Sequence, residues 1–128
     1  MTGFIVFAHG SRVESANQAV RDVASRMAAS SQHAVEPAFL ELGQPDLAGA
    51  VQRLIATVGV SRIVVIPYFL TLGTHLQRDL PRLVHEAARA FGGNVPIEVT
   101  PPLDGHPALL EALLDRASHA LAVERHPA

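Results

Sequence analysis

The sequence predicts an α/β fold: a four-stranded parallel sheet with helices on both faces. Three observations lead there. Four short apolar runs each precede a segment of helical periodicity. The run Arg62–Leu70 (RIVVIPYFL) is nearly unbroken in branched residues, as suits a central strand covered on both sides. The 128 residues also fit one domain with one core. We place that domain at residues 1–122 and expect a C-terminal tail over 123–128.

The first strand is expected at Gly3–Ala8 (GFIVFA), ended by His9-Gly10. Ser11 and Glu14 have the spacing of a capping box, and Ala16, Val20, Val23, Ala24 and Met27 continue at helical spacing to about Ala29. Ala34–Leu40 reads as the second strand. Gln44-Pro45-Asp46 opens a second helix carrying Leu47, Val51, Leu54, Ile55 and Val58, stopped at Gly59. The third strand is Arg62–Leu70, with Pro67 marking where it leaves the regular ladder. A turn at Leu72-Gly73-Thr74 and then His75 follow. The third helix is placed from about Asp79-Leu80-Pro81 to Phe91, closed by Gly92-Gly93. Val95–Thr100 is the fourth strand, broken by Pro101-Pro102, and Pro107 begins a last helix through Leu109, Leu110, Leu113, Leu114 and Ala117. Helices between apolar strands imply parallel pairing through right-handed crossovers.

Composition narrows the chemistry. A formal charge of −2 gives no electrostatic footprint for duplex nucleic acid. All 10 basic residues are arginines, so Schiff-base chemistry and a phosphate-loop lysine are excluded. With no cysteine there is no disulfide, iron–sulfur cluster or thiolate nucleophile, and a metal would have to be held by imidazole or oxygen. No apolar run reaches a membrane-spanning length and no basic, signal-like start is present, so a cytoplasmic protein is expected.

The polar residues fall at the strand ends. His9 follows the first strand and Glu41 the second; His75 lies past the third and His106 past the fourth. In a parallel sheet these segments open onto one edge, where such folds bind ligands. Two imidazoles and a carboxylate there suit a first-row divalent ion. Each residue also has a plainer reading: His9 as a helix cap, Glu41 as a solvated charge, His75 as a turn residue and His106 as the start of a helix. His33, His85, His119 and His126 read as surface histidines. Gly10 and Gly73 would let backbone approach a ligand closely. Arg12, Arg78 and Arg82 lie near the edge, either as anchors for ligand carboxylates or as solvated charges. No dinucleotide, phosphate-loop or serine-hydrolase motif is present.

One ordered series carries a resemblance: His9-Gly10-Ser11-Arg12, Pro37-Ala38-Phe39-Leu40-Glu41, Pro67-Tyr68-Phe69-Leu70, Gly73-Thr74-His75, Asp79-Leu80-Pro81 and His106-Pro107. Over about residues 3–117 the chain resembles the class II tetrapyrrole chelatases, in particular the small, single-domain sirohydrochlorin type of the cobalamin route. That resemblance implies a chelatase-like fold with flavodoxin-like strand order and insertion of a divalent metal into sirohydrochlorin. Co2+ is the first choice, for cobalamin, with Fe2+ insertion for sirohaem, or Ni2+, as the alternatives. It implies His9 and His75 as metal ligands and Glu41 as their acidic companion, so His9, His75 and Glu41 form the catalytic set. Gly10, Ser11, Arg12, Arg78, Arg82 and His106 are the expected substrate contacts. No permanent cofactor is expected, since the metal is a substrate. The implied partners are the tetrapyrrole, the ion and a second copy of the chain in a homodimer, with no nucleic acid and no membrane. Asp104 stands where the family has glycine, and the histidine-rich tail of some relatives is missing.

Two other readings compete. Some histidine phosphatases carry Arg-His-Gly after a first strand, but Ala8 precedes His9 here, so the phosphate-gripping arginine is absent. A non-catalytic tetrapyrrole or metal carrier would use the same residues as an inserting enzyme.

Overall fold

The computed structural model describes residues 1–124; residues 125–128, with His126 and most of the expected tail, lie outside the described residues. The elements are β1 (Thr2–Ala8), α1 (Glu14–Ser31), β2 (Ala34–Phe39), α2 (Leu47–Ile55), β3 (Arg62–Pro67), α3 (Thr74–Ala87) running into a π turn over Ala88–Gly92, β4 (Ile97–Val99) and α4 (Pro107–Glu124). All strand pairs are parallel, in the order β2-β1-β3-β4. The β/α alternation and the flavodoxin-like order are therefore as expected.

Alternation along the strands decides the core. Ile5 and Phe7 of β1, with Ile63 and Val65 of β3, point to one face and meet Leu47, Val51 and Leu54 of α2 and Leu80 of α3. Phe7 and Ile63 are fully buried, each contributing about 1.5–3 kcal/mol of hydrophobic stabilisation. The other face carries α1, which packs on β1 and β2. Asp46 caps α2 by accepting the Gly49 N–H at 2.8 Å, satisfying one of the donors that a helix start leaves free.

Four local expectations are corrected. The third strand stops at Pro67, three residues before Leu70: Pro67 brings no N–H to the ladder, and the Tyr68 N–H makes the last bond to β1, to the Phe7 carbonyl at 2.7 Å. The fourth strand keeps only Ile97–Val99 of the expected Val95–Thr100. The third helix begins at Thr74, five residues ahead of Asp79, so His75 sits in its first turn and Pro81 in its interior. Pro81 has no N–H for the Gln77 carbonyl one turn back, and the helix continues through that gap. Finally, Ser11 and Glu14 form no capping box: α1 starts at Glu14 without a side-chain cap, and the Ser11 hydroxyl accepts the Val13 N–H instead.

The last helix forms where expected and is strongly apolar, yet it makes no substantial packing contact with any other element of its own chain. Leu110, Leu113 and Leu114 stay more than half exposed. Among the described residues no helix is long and apolar enough to cross a membrane.

Candidate active site

The carboxyl ends of the strands bring the predicted residues to one edge. After β1 the chain turns at His9-Gly10, with Gly10 at φ +93°, a conformation that side chains disfavour. The turn lies against the loop after β2: the Glu41 N–H donates to the His9 carbonyl at 3.0 Å, and the Leu40 N–H to the Ala8 carbonyl at 2.9 Å. At Gly10 a Cβ would collide with the Glu41 carbonyl, lying 2.9 Å from its carbon. Glycine is thus what lets these two loops touch.

That contact sets the first pair. His9 Nε2 lies 3.7 Å from Glu41 Oε1, with both side chains more than half exposed. His9 Nδ1 lies 3.1 Å from the Gly10 carbonyl. In the tautomer that donates Nδ1–H to this carbonyl, the lone pair is on Nε2, on the side of the carboxylate.

Beneath the pair is Asn17, the one buried polar residue of the described core, at 1% exposure. Its Oδ1 accepts the Ser11 N–H at 2.8 Å. Its Nδ2 donates to the Ser11 carbonyl at 2.8 Å and to the Leu42 carbonyl at 2.9 Å. One side chain of α1 therefore ties both loops together. Sequence reasoning missed it, although a signal exists: position 17 lies three before Val20 and seven before Ala24, a polar residue on the sheet-facing stripe.

His75 approaches from the other side, carried on the first turn of α3 behind Gly73. His9 and His75 line one cavity of about 340 Å³, with Leu40, Phe69, Leu76 and Asp79 among its walls. The fold thus brings the two expected ligand histidines to a shared space. Asp79 is a second residue that sequence reasoning passed over as a functional group. It follows His75 by one helical turn and faces the same cavity, while Arg82 Nη2 lies 3.9 Å from its carboxylate. Placing the helix start at Asp79 hid that spacing.

The remaining expected substrate contacts do not line this cavity. Ser11 is bound into the turn by its backbone. Arg12 and Arg78 are exposed and make no hydrogen bond or ion pair among the described residues. Arg82 pairs with Glu86 at 2.9 Å. His106 Nδ1 accepts the Ala108 N–H at 3.0 Å at the start of α4 and does not line the cavity. Among the described residues no three histidine, aspartate or glutamate side chains converge as a closed metal cluster. What the edge offers is an open pair of imidazoles flanked by two carboxylates.

The chain is similar to known proteins along most of its length. Residues 3–120 match the family described as CbiX. The chain is 35% identical over 121 residues to the chloroplastic sirohydrochlorin ferrochelatase of Arabidopsis thaliana, covering 94% of this chain and 53% of that protein. It is 31% identical over 126 residues to the sirohydrochlorin cobaltochelatase of Saccharolobus solfataricus, covering 92% and 94% respectively. The chain thus spans about half the plant protein and nearly all of the archaeal one. Among solved structures it is similar to a cobalamin biosynthesis CbiX protein from Marinobacter aquaeolei, with 28% identity, a TM-score of 0.80 and coverage of 98% and 100%. The sirohydrochlorin chelatase SirB from Bacillus subtilis, solved with cobalt, shares the fold at a TM-score of 0.81 and 24% identity, matching 92% of this chain and 50% of that one.

Proposed function

The chain belongs to the CbiX family of sirohydrochlorin chelatases, and from that premise we propose that it inserts a divalent metal, Co2+ first, into sirohydrochlorin for cobalamin. Insertion of Fe2+ for sirohaem, or of Ni2+, is the alternative within the same chemistry. The observation that carries the reading is the shared cavity of His9 and His75, open on one side and flanked by Glu41 and Asp79.

The chemistry asks for such a site. The incoming ion must be held, then released into a macrocycle that loses two pyrrole N–H protons as the metal–nitrogen bonds form. Two neutral imidazoles bind a first-row ion without enclosing it in a charged cage. A closed, fully charged ligand set would retain the ion instead of delivering it. Glu41 and Asp79 add negative charge beside the path of the cation and, together with the imidazoles, supply acceptors for the departing protons. Arg12, Arg78 and Arg82, with Gly10, Ser11 and His106, are the groups we assign to the carboxylate-bearing macrocycle; arginine suits carboxylates because its planar fork donates two parallel hydrogen bonds. The protein is read as cytoplasmic, acting as a homodimer with two sites and holding no permanent cofactor.

The test is anaerobic incubation with sirohydrochlorin and one metal at a time, followed by the absorption change of the macrocycle. Cobalt insertion faster than the spontaneous reaction is expected, with loss of about a hundredfold or more in His9→Ala and in His75→Ala. Tight binding without acceleration by any metal would replace the enzyme with a carrier.

A further inference from the structure

Leu42, in the loop between β2 and α2, sits in a backbone conformation that does not suit it. Its φ is +59°, in the left-handed region where a Cβ crowds the following carbonyl. Glycine or asparagine ordinarily fills such a position. Its side chain is 52% exposed, so the core gains little from it. The strain supports an apolar group that the fold itself does not use, and strain of this kind gathers at working sites.

The backbone explains the turn but not the leucine. Gly43 cannot take over, because it is needed where it stands. A Cβ there would lie 2.9 Å from the Phe39 ring and 3.2 Å from Asn17 Nδ2, and both of these side chains are buried at 1% exposure. The Leu42 carbonyl is fixed as well, accepting from Asn17 Nδ2 at 2.9 Å. Asparagine or glycine at position 42 would make the same turn with less strain.

Its neighbours supply the reason. Leu42 follows Glu41, whose carboxylate lies 3.7 Å from His9 Nε2. It comes two residues after Leu40, a wall of the His9–His75 cavity. An ion that passes from these imidazoles to the ring nitrogens requires the macrocycle to lie with its face toward them. Side chains that flank the ligands then meet that face, while the substrate's carboxylates stay at its periphery. The face of a conjugated ring is apolar, and an aliphatic side chain covers it with no hydrogen bond left unmade.

The loop after β1 shows the same departure. Val13 holds the N-cap of α1, where Ser, Thr, Asp or Asn would bind a free backbone N–H, and it makes no side-chain cap. It is 60% exposed. Asn17 Nδ2 also donates to the Ser11 carbonyl at 2.8 Å, so one buried amide holds both loops.

We propose that Leu42 is a contact for the apolar face of the tetrapyrrole, with Val13 as its counterpart on the first loop. This rests on the chelatase reading above and deepens it. A packing role for Leu42 would make stability and binding fall together. A substrate contact held in place despite strain makes them move in opposite directions.

Leu42→Gly and Leu42→Asn test this. Thermal unfolding followed by circular dichroism should show a melting temperature raised by about 3 °C or more as the strain is relieved. Sirohydrochlorin, titrated anaerobically without metal and followed by its absorption change, should bind about tenfold more weakly. Co2+ titrated alone should bind as it does to the parent, since both imidazoles are untouched. Leu42→Met restores an apolar side chain and should recover macrocycle binding at the parent's melting temperature. Val13→Ser should likewise raise the melting temperature and weaken macrocycle binding. Leu42→Gly protein that binds sirohydrochlorin as tightly as the parent overturns the proposal. A lowered melting temperature does too, since the side chain would then belong to the packing. A lowered sedimenting mass equally overturns it, by assigning Leu42 to an interface between copies. A parent that binds no sirohydrochlorin overturns the chelatase reading and this inference with it, so the two failures are told apart by the parent alone.

Discussion

Replacing Gly10 by alanine tests how the first two loops build the site. At φ +93° a side chain is strained, which costs about 1–3 kcal/mol. The new Cβ also collides with the Glu41 carbonyl, so the loops must separate. Separation breaks or lengthens the 3.0 Å bond from the Glu41 N–H to the His9 carbonyl, at about 1 kcal/mol. Together these give a loss of about 2–4 kcal/mol, a large share of a typical 5–15 kcal/mol of stability. For a chain of this size the melting temperature falls by about 10 °C. Urea and thermal unfolding followed by circular dichroism measure the loss. Chelation should fall further than unfolding explains, because the His9–Glu41 separation of 3.7 Å depends on the same contact. A Gly10→Ala protein with unchanged midpoint and unchanged rate would refute the reasoning.

Three other outcomes are expected. Asn17→Leu leaves the Ser11 N–H and the Ser11 and Leu42 carbonyls without their partner, and about 2–4 kcal/mol should be lost in urea unfolding. Glu41→Gln and Asp79→Asn should each slow insertion by about tenfold or more while leaving the melting temperature within about 1 °C of the parent, since neither side chain is buried; equal losses of rate and stability would make them structural. The carboxyl of Glu98 is held below its usual range by the hydrogen bond and the charge of Arg62. That pair therefore stabilises the fold above the unfolded carboxylate pKa, and its contribution disappears as pH falls through the lowered folded value. Melting curves of the parent and Glu98→Gln should differ at neutral pH and converge in acid.

The sequence revealed the sheet well because its signals are local. Branched residues at 62–66 and helical stripes at Val51-Leu54 and Leu110-Leu113 need no knowledge of neighbours. Strand order came with the family resemblance, whereas the gathering of His9 and His75 at one edge followed from the regularity of parallel crossovers. What stayed hidden depends on partners. Pro81 resembles a first-turn proline, so the helix start was put five residues late and the pairing of His75 with Asp79 was lost. Asn17 has meaning only through carbonyls in two loops, one of them 25 residues away. The stripe on α4 announces a buried face without saying whose surface buries it.

The Asn17 brace also makes the two loops unequal to the third in what they tolerate. An insertion or deletion between Phe39 and Leu47 would carry the Leu42 carbonyl off its donor and strand a buried amide, so the histidine turn inherits any change in the length of its neighbour. The stretch from Thr71 to Gly73 has no such tether among the described residues, its one backbone bond being the Gln77 N–H to the Gly73 carbonyl within α3. Length variation that reshapes the mouth for a different cargo is cheapest there, on the side that carries His75.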